Sequence, residues 1–308
     1  MSEKIKVSVC MITYGHEKFI EEAINGVLMQ EIDFEIELIV SNDASPDNTH
    51  EVVMSIIENH PRGSWIKYIK QESNLGMMPN SVFILKACKG EFIAICEGDD
   101  YWIDPLKLKR QVDFLELNDE YVIHSGNAIQ LTADSNLCGK PLLNIEKSNC
   151  FELKDFLTQN NIITCTVMFR NVKFKFPKDF EKVTFGDWML YVILIKNSGQ
   201  KKAYLSTDCL SVYRSHSEGV MNNLSKYNYY NTHIFQIVTI YKYLKIKRLD
   251  RNVISILNNF YLEKFRIEVK SRSYINIFKT SFLHFKTTST SMPFRKYLSA
   301  LKQEFLTF

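Results

Sequence analysis

Four short apolar runs, KVSVCMIT, EIELIVSN, WIKYIK and EFIAICE, recur between residues 6 and 97, with helix-like stretches filling the gaps. Each run is mostly apolar rather than alternating, as a strand covered on both faces requires. Parallel neighbours can be joined only through a crossover, so this alternation restricts the chain to βαβ units around a mainly parallel central sheet flanked by helices. The expected helices run from Glu17 to Met29, Thr49 to Asn59, Pro79 to Cys88 and Pro105 to Leu117, the last with Asp104 as N-cap and Pro105 at the first helical position. Farther on, YVIHSGN and IITCTVMFR are expected strands and WMLYVILIKNSG a buried helix closed by Gly199, while KKAYLS and CLSVYR read as a closing strand pair.

The chain has 308 residues, enough for one large domain with an appendage, and its 45% hydrophobic content supplies a sizeable core. The character changes near residues 220–226. Residues 225–308 hold 15 Lys+Arg against 4 Asp+Glu, a net +11, which leaves −8 for residues 1–224 out of the total of +3. We therefore expect a domain over 1–224 and a basic, aromatic-rich helical extension over 225–308. The extension reads as two helical segments, YYNTHIFQIVTIYKYLKIKR and NVISILNNFYLEKFRIEV, followed by a less regular end. It either lies on an anionic membrane surface as a peripheral contact or packs as a helical subdomain with its cations outward. Nucleic acid is not an expected partner, for want of a recognisable motif. No apolar run approaches the ~18 residues that span a bilayer, and the N-terminus has no signal-peptide pattern, so a cytoplasmic chain is expected. Seven cysteines, scattered without a C-x-x-C pair, suit reduced core thiols better than disulfides or zinc.

In open α/β sheets ligands bind beyond the carboxyl ends of the strands. The loops there are TYGHEK, NDASPDNT, ESNLGMMPN and EGDDYW. The first lacks both G-x-G-x-x-G and G-x-x-x-x-G-K-[ST], which argues against a dinucleotide fold and a P-loop NTPase. It also lacks the glycine- and arginine-rich character expected of a sugar nucleotidyltransferase. Thr13 and Tyr14 either hold a base through main-chain bonds and stacking or form a plain turn with an aromatic lid. Asp43 either accepts from a nucleobase N–H or belongs to a turn in which Asp47 or Thr49 caps the next helix. The loop EGDDYW is harder to explain as a turn. Glu97, Asp99 and Asp100 crowd a strand end, where like charges repel unless a cation sits among them, and hard carboxylates suit Mg²⁺ or Mn²⁺.

In joint order and spacing, V-S-V-x-M-I-T-Y, S-N-D-A-S-P-D-N-T, N-L-G, C-E-G-D-D-Y-W, G-D-W and Y-R-S-H resemble the family 2 glycosyltransferases with a GT-A fold, over about residues 5–220. The resemblance implies that Thr13, Tyr14 and Asp43 bind the nucleotide's base and ribose, with Asn74 in a loop near that pocket. It puts Glu97 and Asp99 at the family's D-x-D signature, Asp99 as direct metal ligand with Asp100 beside it. Glu97 stands where that family has Asp, so its longer arm reaches a ribose hydroxyl or a metal-bound water instead. Asp187 matches the catalytic base, although Gly186 replaces the acidic residue that often precedes it, and an Asp before such an apolar run also reads as a helix cap. His216 matches a loop placed over the diphosphate or metal, with Arg214 as a candidate to offset phosphate charge. Trp102 and Trp188 are candidates for the sugar or acceptor side, or for the core.

The implied activity is an inverting transfer from a nucleoside-diphosphate sugar, UDP-linked in this reading, to a hydroxyl of a glycan or lipid-linked acceptor in surface polysaccharide synthesis, with Mn²⁺ or Mg²⁺ as cofactor. The alternatives are a non-catalytic nucleotide-sugar or glycan-binding subunit of an envelope-glycan complex and, disfavoured by the first loop, a sugar nucleotidyltransferase.

Overall fold

The four apolar runs form β1 (Val7–Thr13), β2 (Ile36–Asn42), β3 (Ile66–Lys70) and β4 (Phe92–Ile95) in the computed structural model, which describes residues 4–132, 137–217, 219, 223–288, 297 and 299. Between them lie α1 (Ile20–Leu28), α2 (Thr49–Asn59) and α3 (Met77–Ala87). Every residue of β2 is buried, and all of β1 except Ile12, as continuous apolar runs demand. At the sheet edge β3 is instead buried only at Ile66, and Lys67 and Lys70 at its exposed positions discourage further pairing. In α1, Ile20, Ala23, Ile24, Val27 and Leu28 are buried at helical spacing, with Glu21 and Glu22 outward.

The chain continues through β5 (Tyr101–Trp102), α4 (Lys107–Leu117), β6 (Tyr121–Thr132), β7 (Leu137–Pro141), β8 (Asn149–Phe151), β9 (Met168–Arg170), α5 (Gly186–Asn197) and β10 (Lys202–Ser215). The sheet order is β3-β2-β1-β4-β9-β6-β10-β5, with β7 paired to β6 and β8 to β10. Pairing is parallel from β3 to β4, reverses at β9, and is parallel again between β6 and β10. With β2 on one side of β1 and β4 on the other, the carboxyl ends of β1 and β4 flank the topological switch point.

Several elements differ from expectation. KKAYLS and CLSVYR are one strand, β10, whose register against β6 shifts between Leu205 and Cys209; the exposed Thr207 and Asp208 occupy that bulge. Helix α4 starts at Lys107 because Asp104 is used earlier, accepting from the Leu106 amide (2.9 Å) and from Arg110 (2.9 Å). Of IITCTVMFR only Met168–Arg170 is strand, and Thr164–Thr166 form a 3₁₀ turn whose polar groups enter the site. Helix α5 is apolar all round and buried from Trp188 to Ile195, and Gly199 follows it at φ +78°. Cys10, Cys88, Cys96, Cys150, Cys165 and Cys209 are free thiols.

The chain divides into two compact units, Met1–Phe156, Asn160–Lys182 and Gly186–Ser217 forming the first, and Leu157–Gln159, Val183–Phe185 and Glu218–Phe308 the second. Within the second lie α6 (Lys226–Leu244), α7 (Arg251–Lys270) and α8 (Tyr274–Thr288). Ser225 caps α6 by accepting from the Asn228 amide, and Asp250 caps α7 by accepting from the Val253 amide (2.9 Å). The end expected to be less regular thus contains a helix of 15 residues, α8. Its outward positions carry its large apolar residues, so it does not present the inward apolar stripe by which helices are read. No described helix is long and apolar enough to cross a membrane.

Candidate active site

Main-chain bonds draw the strand ends together: Cys96 N donates to Cys10 O (3.1 Å), Gly98 N to Ile12 O (3.0 Å) and Asp43 N to Thr13 O (2.9 Å). The loop after β2 then holds the loop after β1, since Ser45 Oγ, Thr49 Oγ1 and Asp47 Oδ2 accept from the amides of Gly15, His16 and Glu17 at 2.9 to 3.0 Å. Turn-forming residues therefore do more here than start α2. Asp43 is buried, and its two carboxylate oxygens accept from Leu75 N (2.8 Å) and Gly76 N (2.9 Å), fixing the loop before α3. Asn74, next to those amides, is exposed. Thr13 is buried and Tyr14 is 48% exposed, its ring available for stacking.

The turn from Glu97 to Asp100 lies against the first loop with no room to spare. A Cβ on Gly98 would sit 2.8 Å from both Thr13 Cβ and Thr13 Oγ1. Thr13 is part of a buried strand and cannot yield easily, so Gly98→Ala is expected to cost about 1–3 kcal/mol, as overpacking does. Thermal unfolding of the variant checks this, and an unchanged Tm would show that the two loops separate freely.

The three carboxylates of the turn have separate environments. Asp99 Oδ2 lies 3.1 Å from His216 Nε2 and 4.0 Å from His16 Nε2. Burial alone would push its carboxyl up, but the His216 hydrogen bond and the His16 charge outweigh it and hold it below its ordinary value. Asp100 turns away, accepting from the Arg214 amide (2.8 Å), and burial with the neighbouring Asp99 charge pushes it up to about 8. Glu97 is pushed well up by burial and by Asp100 and Asp99, and its Oε2 is buried without a hydrogen-bond partner. His16 escapes a reading of the first loop confined to glycine patterns; its position just beyond a parallel strand end was the available signal.

Arg214, the candidate to offset phosphate charge, is buried and its guanidinium is held by internal partners. Its guanidinium donates to Asp99 O (2.6 Å) and pairs with Glu22, and it lies over the rings of Tyr101 (4.5 Å) and Phe19 (5.1 Å). It clamps the acidic turn onto α1 and β10. Trp102 and Trp188 are both in the core rather than on a sugar-facing wall, because their indole N–H groups are satisfied by internal carbonyls, Cys165 O (2.8 Å) and Phe156 O (2.6 Å).

Asp187 is the second residue of α5 rather than its N-cap. Its Oδ2 accepts from Asn160 Nδ2 (2.8 Å) and Thr164 Oγ1 (2.7 Å), so the 3₁₀ turn before β9 orients the carboxylate. Burial raises its pKa against these hydrogen bonds, and its charge acts on Glu97. A hydrogen-bonded carboxylate with a raised pKa is a stronger base than an ordinary one, and it lies beside a turn that concentrates negative charge.

Among the described residues no group of three His, Cys, Asp or Glu side chains is drawn together as a metal cage. The donors present nonetheless suit a hard divalent ion. Such an ion takes one or two protein ligands and fills its other positions with phosphate and water oxygens, and Asp99 with His216 supplies a carboxylate and an imidazole side by side.

The family model of glycosyl transferase family 2 matches residues 8–175, more than half of the chain. The chain belongs to glycosyl transferase family 2. An uncharacterized protein of Mycobacterium bovis is 27% identical over 217 residues, covering 70% of this chain and 61% of that protein. The chain thus spans about three fifths of the length of the curated relatives it first matches. Among solved structures, S. aureus TarS 1–349 in complex with UDP-GlcNAc superposes with a TM-score of 0.64 at 18% identity, covering 96% of this chain and 84% of that one. The mannosyltransferase PcManGT from Pyrobaculum calidifontis, in complex with GDP-Man and Mn²⁺, superposes with a TM-score of 0.52 at 14% identity, covering 99% and 87%. The α/β fold of this family 2 chain is the GT-A fold, followed by helices.

Proposed function

We propose that this chain is a metal-dependent inverting glycosyltransferase. It takes a sugar from a nucleoside diphosphate, UDP in this reading, and transfers it to a hydroxyl of a glycan or lipid-linked acceptor in surface polysaccharide synthesis. We assign the transfer to residues 1–224 and treat 225–308 as an extension. The observation that carries the reading is the pairing of two unlike carboxylates: Asp99 held ionised beside His216 and His16, and Asp187 held by Asn160 and Thr164 with a raised pKa. Two structural neighbours, one in complex with UDP-GlcNAc and one with GDP-Man and Mn²⁺, support a nucleotide-sugar donor of the same class.

In this mechanism Thr13, Tyr14 and Asp43 bind the base and ribose, Tyr14 by stacking and Asp43 mainly by holding the Asn74 loop beside the pocket. Glu97 reaches a ribose hydroxyl with its unpartnered oxygen. Asp99 and His216 would hold Mn²⁺ or Mg²⁺, which supplies charge neutralisation to the departing diphosphate. Asp100 and Arg214 keep the acidic turn in place. The acceptor oxygen attacks the anomeric carbon in line, the bond from that carbon to the diphosphate breaks with its electron pair leaving on the nucleotide, and Asp187 takes the acceptor's proton.

The test is product analysis. The protein is incubated with UDP- and GDP-sugars, Mn²⁺ and glycan acceptors, and the released nucleotide is identified. Acceptor-dependent release of nucleoside diphosphate is expected. Donor binding without release would indicate a binding subunit, and pyrophosphate formed from nucleoside triphosphate and sugar phosphate would indicate a nucleotidyltransferase.

A further inference from the structure

Helix α8 is built inside out. The residues it buries are polar or small, Thr280, His284 and Thr288, at i, i+4 and i+8. They are bonded within the second unit: Thr280 Oγ1 donates to Glu268 Oε1 (2.8 Å) and His284 Nε2 pairs with Asn258 Oδ1 (2.6 Å), both on α7. Tyr261 on α7 likewise meets Thr287 through their hydroxyls (3.0 Å). The opposite arc carries Tyr274, Ile275, Phe278, Phe282 and Phe285, each exposed by between 58% (Phe282) and 75% (Phe278). At 100° per residue these five side chains fall within one side of the helix, because Tyr274, Phe278, Phe282 and Phe285 are spaced four, four and three apart, with Ile275 one turn from Phe278 and two from Phe282. A helix that turns its aromatics outward and its threonines inward presents a contiguous apolar surface, the kind that marks an interaction site.

The charge of the helix identifies the occupant. Lys279 and Lys286 are exposed beside the apolar arc, and α8 contains no Asp or Glu. The residues around it continue the pattern, since 225–308 carry 15 Lys+Arg against 4 Asp+Glu. Two such surfaces would repel one another, whereas an anionic bilayer attracts both the cations and the rings: aromatic residues settle at headgroup depth, and each Lys or Arg near the surface adds to the attraction. We propose that the outward face of α8 is a membrane-docking surface that lies in the plane of an anionic lipid bilayer. The inference goes beyond glycosyl transfer and does not depend on it.

The full chain should co-sediment with phosphatidylglycerol-containing vesicles at 0.1 M salt and not with pure phosphatidylcholine vesicles. Binding should fade as salt shortens the Debye length from ~10 Å toward ~3 Å at 1 M. The double variant Phe278→Ser, Phe282→Ser should lose at least about tenfold in vesicle affinity, from the apolar area it withdraws, while keeping its helical circular dichroism and Tm, since both side chains point outward. Lys279→Glu with Lys286→Glu should weaken binding to the anionic vesicles while keeping the helical circular dichroism and Tm. The proposal is overturned by no binding of the parent chain at 0.1 M salt, by equal binding to neutral vesicles, or by serine variants that bind like the parent. A concentration-dependent dimer in sedimentation velocity, abolished by the serine variant, would reassign the face to self-association.

Discussion

Replacing Asp187 by asparagine is expected to cut turnover about 10²–10⁴-fold, the usual contribution of a positioned general base. Asparagine is isosteric and can still accept from Asn160 and Thr164, so the pocket should hold its shape and donor affinity should remain near that of the parent. The pH profile gives a second reading. Burial raises the Asp187 pKa, so the base is lost as pH falls through a value above the ordinary ~3.9 and is fully present above it; the parent should show that acid limb and the variant should not. Stability runs the other way. A carboxyl whose folded pKa is raised contributes most below its unfolded value, and that contribution is lost as pH rises through the folded one. The uncharged variant should therefore unfold no earlier at neutral pH. Near-normal turnover, or a drop in Tm with turnover intact, would reduce Asp187 to a structural residue of the first turn of α5.

Asp99→Asn should abolish most metal-dependent donor binding. Even outer-shell partners of a metal typically contribute about 10–100-fold to its affinity, and a direct ligand should contribute no less. The substitution keeps an oxygen for His216 but removes the negative charge that His216 and His16 flank. Calorimetric titration with UDP, with and without Mn²⁺, reads the effect directly. The expected result is a parent affinity that rises with Mn²⁺ and a variant affinity that no longer does. Equal Mn²⁺ enhancement in both proteins would remove Asp99 from the metal site, and the unchanged affinity without Mn²⁺ serves as the control for folding.

What the sequence determined by itself was whatever depends on neighbours along the chain. Continuous apolar runs of strand length, separated by helix-length gaps, dictate β1 to β4 and the parallel half of the sheet, and strand ends then say which loops meet. The acidic turn at 97–100 was legible for the same reason: carboxylates at the tip of a buried strand conflict with their surroundings unless they have a function. Tertiary structure decided everything that depends on which distant groups satisfy a polar atom. Asp43 was taken up by the amides of Leu75 and Gly76, Arg214 by Glu22 and the Asp99 carbonyl, and the two tryptophans by carbonyls of Cys165 and Phe156. His16 became a neighbour of Asp99 only because Gly98 lets the fourth strand's turn press against the first loop. Helix α8 escaped periodicity because hydrophobic patterning reports the burial a helix needs, and this helix exposes its apolar side while α7 satisfies its polar one. Local pattern sets secondary structure because backbone geometry and side-chain period are local; hydrogen-bond partners are assigned by the fold, where a buried donor or acceptor must be met by whatever group the topology brings within reach.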